Sequence, residues 1–156
     1  MPRTFKTGTD EEKVISLSDV REEKIEEKRR EYERVVFKSN FGVYTVLDRK
    51  GLHAIEIIDI SEGGLQFQVP ESSTLKLETS DTITLRFYFS ADHFITIDVK
   101  VMRSFTSIEE GTAMHRYGCI MDKSMASYSA IYHFVQFIAK CAEHGHKDDT
   151  HLKVYY

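Results

Sequence analysis

Two short groups of residues in this chain have side chains suited to binding a charged ligand. Arg30 and Arg34 form the pattern Arg-x-x-x-Arg, and Asp59, Ser61 and Gly64 form the pattern Asp-x-Ser-x-x-Gly. Arginine carries a planar fork of donors that grips a phosphate or the O6/N7 edge of guanine in a bidentate manner. A carboxylate accepts from the N–H groups of guanine, and small residues let backbone N–H groups approach an anion. The residues therefore predict a site for a ligand with guanine edges and phosphates.

Each group also has an explanation that involves no ligand. In a helix rich in Glu, Lys and Arg, two arginines four positions apart arise often by chance. An Asp-x-Ser sequence at the end of a strand is commonly a turn, in which the side chains bind local backbone N–H groups. The presence of both groups, in this order and within a chain of many strands, favours the binding site.

Together the two patterns resemble the signature of PilZ domains. The segment 116–121, Arg-Tyr-Gly-Cys-Ile-Met, is also similar to the last strand of such domains, so the resemblance covers residues 29 to 141. It implies a bacterial receptor for the second messenger cyclic di-GMP. The ligand-binding residues implied by the resemblance are Arg30, Arg34, Asp59, Ser61 and Gly64, extended by Arg29 and Gly63.

Arg29 has two interpretations. In related domains an extra arginine before the motif accompanies binding of a stacked pair of ligand molecules instead of one. The run Lys28-Arg29-Arg30 is equally consistent with a solvated basic patch.

The resemblance implies a sensor without catalysis that changes its surface on binding and signals to a protein partner. Related proteins act in motility, biofilm formation and surface polysaccharide control, and the sequence does not choose among these outputs. The alternative is an interaction adaptor of the same fold that binds no nucleotide. No nucleophile or acid/base constellation, no cofactor motif beyond the ligand site and no paired-cysteine zinc pattern is present, so we expect neither an enzyme nor a metalloprotein.

Size and charge limit the remaining classes of function. The chain has 156 residues, which fits one ordinary domain. A net charge of -4 argues against polymeric nucleic acid as the main partner, because such proteins usually present a basic face. Two lone cysteines, no recognisable secretory leader and no long apolar run predict a cytoplasmic protein without a disulfide or membrane insertion. We expect a monomer or a weak dimer.

The chain divides by composition into three parts. Residues 1–28 form a charged extension, residues 29–143 the PilZ domain and residues 144–156 a flexible tail. Between Arg21 and Arg34 six positive residues balance six glutamates, often three or four positions apart, which predicts a solvated helix starting near Ser18.

After Arg34 the periodicity changes from that of a helix to that of strands. The predicted strands are residues 35–37, 42–47, 52–60, 65–69, 82–89, 94–105 and 114–121. The fold class is therefore all-β with flanking helices: a six- to seven-stranded antiparallel PilZ-type barrel with a charged N-terminal helix and a C-terminal helix that closes one end.

Local patterns refine this fold. Ile58 and Ile60 are predicted to face inward, which places Asp59 and Ser61 on the outer face, and Gly63-Gly64 supplies the following turn. The last helix is predicted from Ser124, its cap, to Cys141. Its apolar stripe consists of Tyr128, Ile131, Val135, Ile138 and Ala142.

The arginine spacing suggests a conformational change. Four residues span about 6 Å along a helix and about 13 Å along an extended segment. We hypothesise that the junction around Arg30 and Arg34 is helical or partly ordered when empty and rearranges over the barrel when the ligand binds.

His144, His146 and His151 lie in the polar tail together with two aspartates. His-x-His spacing can bind a divalent ion. A disordered terminus is the preferred interpretation.

Overall fold

The computed structural model of the protein describes residues 17–39, 42–47 and 51–146. It contains two helices and six strands, in the order α1 Leu17–Ser39, β1 Gly42–Leu47, β2 Gly51–Ile60, β3 Gly64–Pro70, β4 Thr82–Tyr88, β5 Phe94–Glu109, β6 Thr112–Met121 and α2 Tyr128–His144. Most of the predicted N-terminal extension and most of the tail, including His151, lie outside the described residues.

The six strands form a closed barrel in which neighbouring strands are antiparallel. The order around the barrel is β1-β2-β3-β6-β5-β4, and β4 pairs with β1 to close it. Closure pairs each of these strands on both sides, which removes the exposed edges that an open sheet would carry. The predicted antiparallel barrel is confirmed, with six strands.

Large apolar side chains fill the barrel interior. Phe67, Leu85, Phe87 and Ile97 are each at most 1% exposed. Full burial of such a side chain contributes roughly 1.5–3 kcal/mol. The interior therefore makes the barrel a stable platform for groups on its outer face.

Helix α1 continues to Ser39, so the predicted strand at residues 35–37 is wrong. Phe37 is buried, and its ring packs edge-on against Phe87 of β4 and Phe134 of α2, with centroids 6.0 and 5.7 Å away. Three residues are too few to distinguish helical from strand periodicity, and the packing of Phe37 decides it. The C-terminal end of α1 is thereby anchored in the core.

Helix α2 closes one end of the barrel, as predicted, because its apolar stripe joins the barrel core. Four residues of the predicted stripe are buried: Ile131, Val135, Ile138 and Ala142. The predicted start is wrong, since the helix begins at Tyr128. The backbone N–H and the hydroxyl of Ser124 both donate to Asp122 Oδ1, at 2.9 and 2.6 Å, so Ser124 belongs to a turn before the helix.

Within the described ranges, neither helix is both long and apolar enough to cross a lipid bilayer.

Candidate ligand-binding site

A β-bulge in β2 determines the orientation of Asp59. The pairing of β2 with β3 shifts between Ile57 and Asp59, so Ile58 is an extra residue between them. The bulge shifts the in/out alternation by one, and the barrel core contains Ile57 and Ile60. Ile58, predicted to face inward, is buried outside that core cluster. The Asp59 side chain is 35% exposed on the outer face, as predicted.

Asp59 begins a row of residues that crosses the outside of the barrel. It pairs with Gln66 of β3, which pairs with Gly118 of β6. Gly118 in turn pairs with Arg103 of β5, next to a second register shift that follows Val101. These four residues, Asp59, Gln66, Gly118 and Arg103, are called the site row below.

The turn between β2 and β3 carries Ser61 and is held by α2. The Ser61 backbone N–H and hydroxyl both donate to the Gly64 carbonyl, at 2.8 and 3.2 Å. The Tyr128 hydroxyl donates to the Glu62 carbonyl, and Gln136 Nε2 donates to the Glu62 carboxylate at 2.5 Å. The Ser61 hydroxyl thus serves the turn and can still accept a further hydrogen bond.

Gly64 lies where the turn meets β6. A Cβ atom at this position would be 2.5 Å from the carbonyl oxygen of Cys119, which is backbone and cannot swing away. At Gly63 the nearest neighbour of an added Cβ is Lys123 Nζ, at 3.8 Å. Packing therefore requires glycine at position 64 and leaves space at position 63.

Arg29 is the most deeply placed of the candidate arginines, with a side chain 16% exposed. Its Nη1 donates to the Ile60 carbonyl at 3.0 Å, and its Nη2 lies 3.7 Å from Asp59 Oδ1. Its fork also binds Glu26, one turn earlier on α1, with Nη2 2.8 Å from Oε2. The hydrogen bond from Arg29 holds the pKa of Glu26 below its ordinary value.

Arg30 and Arg34 make looser contacts. Arg30 is 55% exposed, and its Nε lies 4.0 Å from Asp59 Oδ2. Arg34 Nε donates to the Ile58 carbonyl at 3.4 Å. Both lie on one continuous helix, so the helical form of the predicted spacing is the one observed here.

Asp59 Oδ1 is buried and accepts no hydrogen bond from the described residues. Its contact of 3.7 Å with Arg29 is an ion-pair distance, longer than a hydrogen bond. An unsatisfied buried acceptor costs about 1–3 kcal/mol. The carboxylate is therefore well placed for a donor from outside this set of residues.

An open cavity of about 280 Å³ covers the site row. Ser61 and Gly64 line it, together with the side chains of Met102 on β5 and Ile120 on β6, each about half exposed. Cys119 also borders the cavity, but burial raises the pKa of its thiol to about 12. A neutral thiol is a poor nucleophile, so this cysteine does not suggest catalysis.

The structure brings Asp59, Ser61 and Gly64 together at the cavity. Arg29 and Arg30 contact Asp59, whereas neither Arg30 nor Arg34 lines the cavity. Sequence reasoning missed several lining residues on β3, β5 and β6: Gln66, Met102, Arg103, Gly118 and Ile120. The one available signal was that Gly118 and Ile120 lie in the segment 116–121, which we singled out for its resemblance to a last strand.

A polar network next to the site row links four strands, β2, β3, β5 and β6. Gln68, 1% exposed, accepts from Arg116 Nε at 3.0 Å and donates to Glu109 and Glu56, at 2.7 and 3.1 Å. Arg116 and Glu109 also form an ion pair. Buried polar groups that are satisfied in this way fix strand register.

Within residues 17–39, 42–47 and 51–146, no three His, Cys, Asp or Glu side chains are grouped so that they could hold a metal ion. His144 lies 3.7 Å from the Glu143 carboxylate. His151, the third histidine of the predicted cluster, lies outside these ranges.

Solved structures share this fold at low sequence identity. MrkH of K. pneumonia in complex with cyclic di-GMP matches with a TM-score of 0.56 at 15% identity, over 69% of this chain and 49% of MrkH. The PilZ domain of YcgR from Escherichia coli with cyclic di-GMP matches at 0.50 and 12%, over 68% of this chain and 83% of that domain. PlzA of Borreliella burgdorferi in complex with cyclic di-GMP matches at 0.50 and 12%, over 82% of this chain and 60% of PlzA. The chain spans about half the length of MrkH.

The fold and the site define a small closed β-barrel domain flanked by two helices, with a polar cavity on its outer face. No curated protein sequence is significantly similar to the chain. The profile of the PilZ domain matches residues 28–137, and the chain belongs to the PilZ family. PilZ domain proteins are typically receptors without enzymatic activity.

Proposed function

We propose that this protein is a receptor for cyclic di-GMP. The observation that carries the proposal is the position of Asp59. One of its oxygens is buried without a hydrogen bond from the described residues, Arg29 and Arg30 lie within 4.0 Å, and a cavity opens beside it. The cyclic di-GMP bound in the complexes of MrkH, YcgR and PlzA supports the same ligand class for a shared fold.

The chemistry of this site matches a guanine nucleotide. The Asp59 carboxylate lines the cavity and accepts from the guanine N–H groups, and its buried Oδ1 becomes accessible to them when Arg29 moves with α1. Ser61 and Gly64 border the cavity, where the Ser61 hydroxyl provides a polar group for the ligand. Arg30 and Arg34 supply planar forks for a phosphate or for the O6/N7 edge of a guanine.

Binding in this proposal moves α1. Arg30 and Arg34 do not line the cavity in the helical form, and four helical residues advance only about 6 Å. If the segment that carries Arg30 and Arg34 is extended, the two guanidinium groups are about 13 Å apart and can reach over a larger ligand. Phe37 anchors the end of α1, so the rearrangement takes place ahead of it and changes the surface presented to a protein partner.

Calorimetry is the direct test of the ligand. We expect cyclic di-GMP to bind with a dissociation constant in the micromolar range or below. GTP and GMP should bind at least tenfold more weakly, because each carries one guanine and is not a cyclic dinucleotide. Absence of binding heat and of any thermal shift at high cyclic di-GMP concentration would leave the adaptor function as the better explanation.

Hydrogen exchange tests the rearrangement separately. Residues 21–37 should change their exchange rates when cyclic di-GMP is added, since the helix must loosen or re-dock. Strand β4, which contributes neither to the site row nor to the cavity, serves as the internal control and should not change. Binding without altered exchange in residues 21–37 would mean that α1 is a fixed element.

A further inference from the structure

Arg103 lies over the backbone of Gly118, its neighbour in the site row. A Cβ atom added to Gly118 would lie 2.7 Å from Arg103 Nε and 2.9 Å from Arg103 Cγ. The Arg103 side chain therefore runs back from β5 across β6, toward the strand that carries Asp59. Glycine at position 118 leaves the space that this side chain occupies.

The guanidinium group of Arg103 has no hydrogen-bond or ion-pair partner among the residues that the structure describes. Other arginines of the barrel are engaged: Arg116 binds Gln68 and Glu109, and Arg86 lies over the ring of Phe94 at 4.5 Å. Arg103 instead borders the cavity and leaves its donors and its planar face available there.

The neighbours of Arg103 suggest which ligand group it contacts. Met102, the chain neighbour of Arg103, and Ile120, two residues after Gly118, are 50% and 48% exposed and give the cavity an apolar border. A planar cation with apolar neighbours fits the face of a nucleobase, on which arginine stacks through its guanidinium plane. Gln66 offers both a donor and an acceptor for the edge of such a base.

The separation within the site row indicates that this base is not the one at Asp59. Three strand spacings, about 14 Å along the sheet, separate the backbone of Asp59 from that of Arg103. Because the Arg103 side chain runs back over β6, its guanidinium group lies about 10 Å from the backbone of Asp59. A single base bound to the Asp59 carboxylate does not also reach the Arg103 plane. A ligand with two bases does.

We propose that Arg103 binds the second guanine of cyclic di-GMP by stacking on its face, while Asp59 accepts hydrogen bonds from the first. The inference rests on the proposed function and adds to it a ligand-contacting residue on β5, outside both sequence patterns. Lysine carries the positive charge of arginine without the planar guanidinium group. A lysine substitution therefore separates the contribution of charge from the contribution of stacking at position 103.

The test is calorimetry with cyclic di-GMP on the full chain and on three variants. Arg103→Ala should weaken binding about tenfold or more, because base stacking on such a side chain is lost. Arg103→Lys should recover only a minor part of this loss. Lys100→Ala is the matched control, since it removes one positive charge from an exposed position of the same strand, and it should bind within about twofold of the unsubstituted protein.

The outcomes distinguish the two proposals. If the unsubstituted protein binds and Arg103→Ala binds equally well, the role of Arg103 is wrong and the receptor function stands. Full recovery by Arg103→Lys, or an equal loss in Lys100→Ala, would replace stacking by a charge effect and overturn the inference. If the unsubstituted protein does not bind, the receptor function fails and this inference fails with it. Circular dichroism of each variant confirms that the barrel is intact.

Discussion

Arg34→Ala is expected to weaken the binding of cyclic di-GMP by roughly ten- to a hundredfold. A charge-assisted donor to a phosphate or a guanine edge contributes about 1.5–3 kcal/mol. In the structure Arg34 donates to the Ile58 carbonyl at the long distance of 3.4 Å, so its removal should cost little stability. Calorimetry measures the affinity, and urea unfolding of the same sample measures the free energy of unfolding.

Arg21→Ala is the control for this variant. Arg21 lies on the same helix, is exposed and is outside the motif. Its removal changes the net charge of the protein by the same amount and should leave affinity within about twofold. Equal losses in both variants would indicate a general electrostatic effect, and an Arg34→Ala variant with unchanged affinity would remove Arg34 from the site.

The barrel could be predicted because its strands carry their own pattern. Alternating apolar residues, as at Leu65, Phe67 and Val69, are buried on one face in the structure and were readable without any tertiary information. Residues 35–37 gave no such signal. Their helical state depends on contacts of Phe37 with β4 and α2, which are distant in sequence.

The site was predictable to the extent that its residues are close together in sequence. Asp59, Ser61 and Gly64 border one cavity because a single turn carries them. The rest of the site row depends on strand register, which joins Gln66 to Gly118 and Gly118 to Arg103. Periodicity assigns a face to each residue but does not say which residues of two distant strands lie opposite each other.

Two bulges illustrate the same limit. The extra residue Ile58 puts Ile57 and Ile60 in the core, whereas Ile58 itself, predicted to face inward, lies outside the core cluster, and a second shift precedes Arg103. A bulge leaves no reliable mark in the sequence, although such irregularities are frequent beside binding sites. The deep placement of Arg29, closer to Asp59 than Arg30 is, likewise follows from how α1 docks on β2.

Phe37→Ala should lower the free energy of unfolding by about 3–5 kcal/mol, the largest effect on stability expected here. The side chain is 5% exposed, and its edge-on contacts join β4, α1 and α2. Truncation leaves a cavity at the end of the barrel where both helices meet the core, and the neighbouring rings can collapse only partly. Urea unfolding followed by circular dichroism measures the loss.

Phe137→Ala is the matched control, because Phe137 belongs to α2 but is 63% exposed. Its truncation removes the same atoms and should change stability by no more than about 0.5 kcal/mol. The difference between the two variants also bears on the proposed rearrangement of α1 on ligand binding. In that proposal the helix rearranges around Arg30 and Arg34 while its C-terminal end stays fixed. Loss of less than about 1 kcal/mol in Phe37→Ala would mean that this end is not anchored in the core, and the proposed hinge ahead of Phe37 would lose its fixed point.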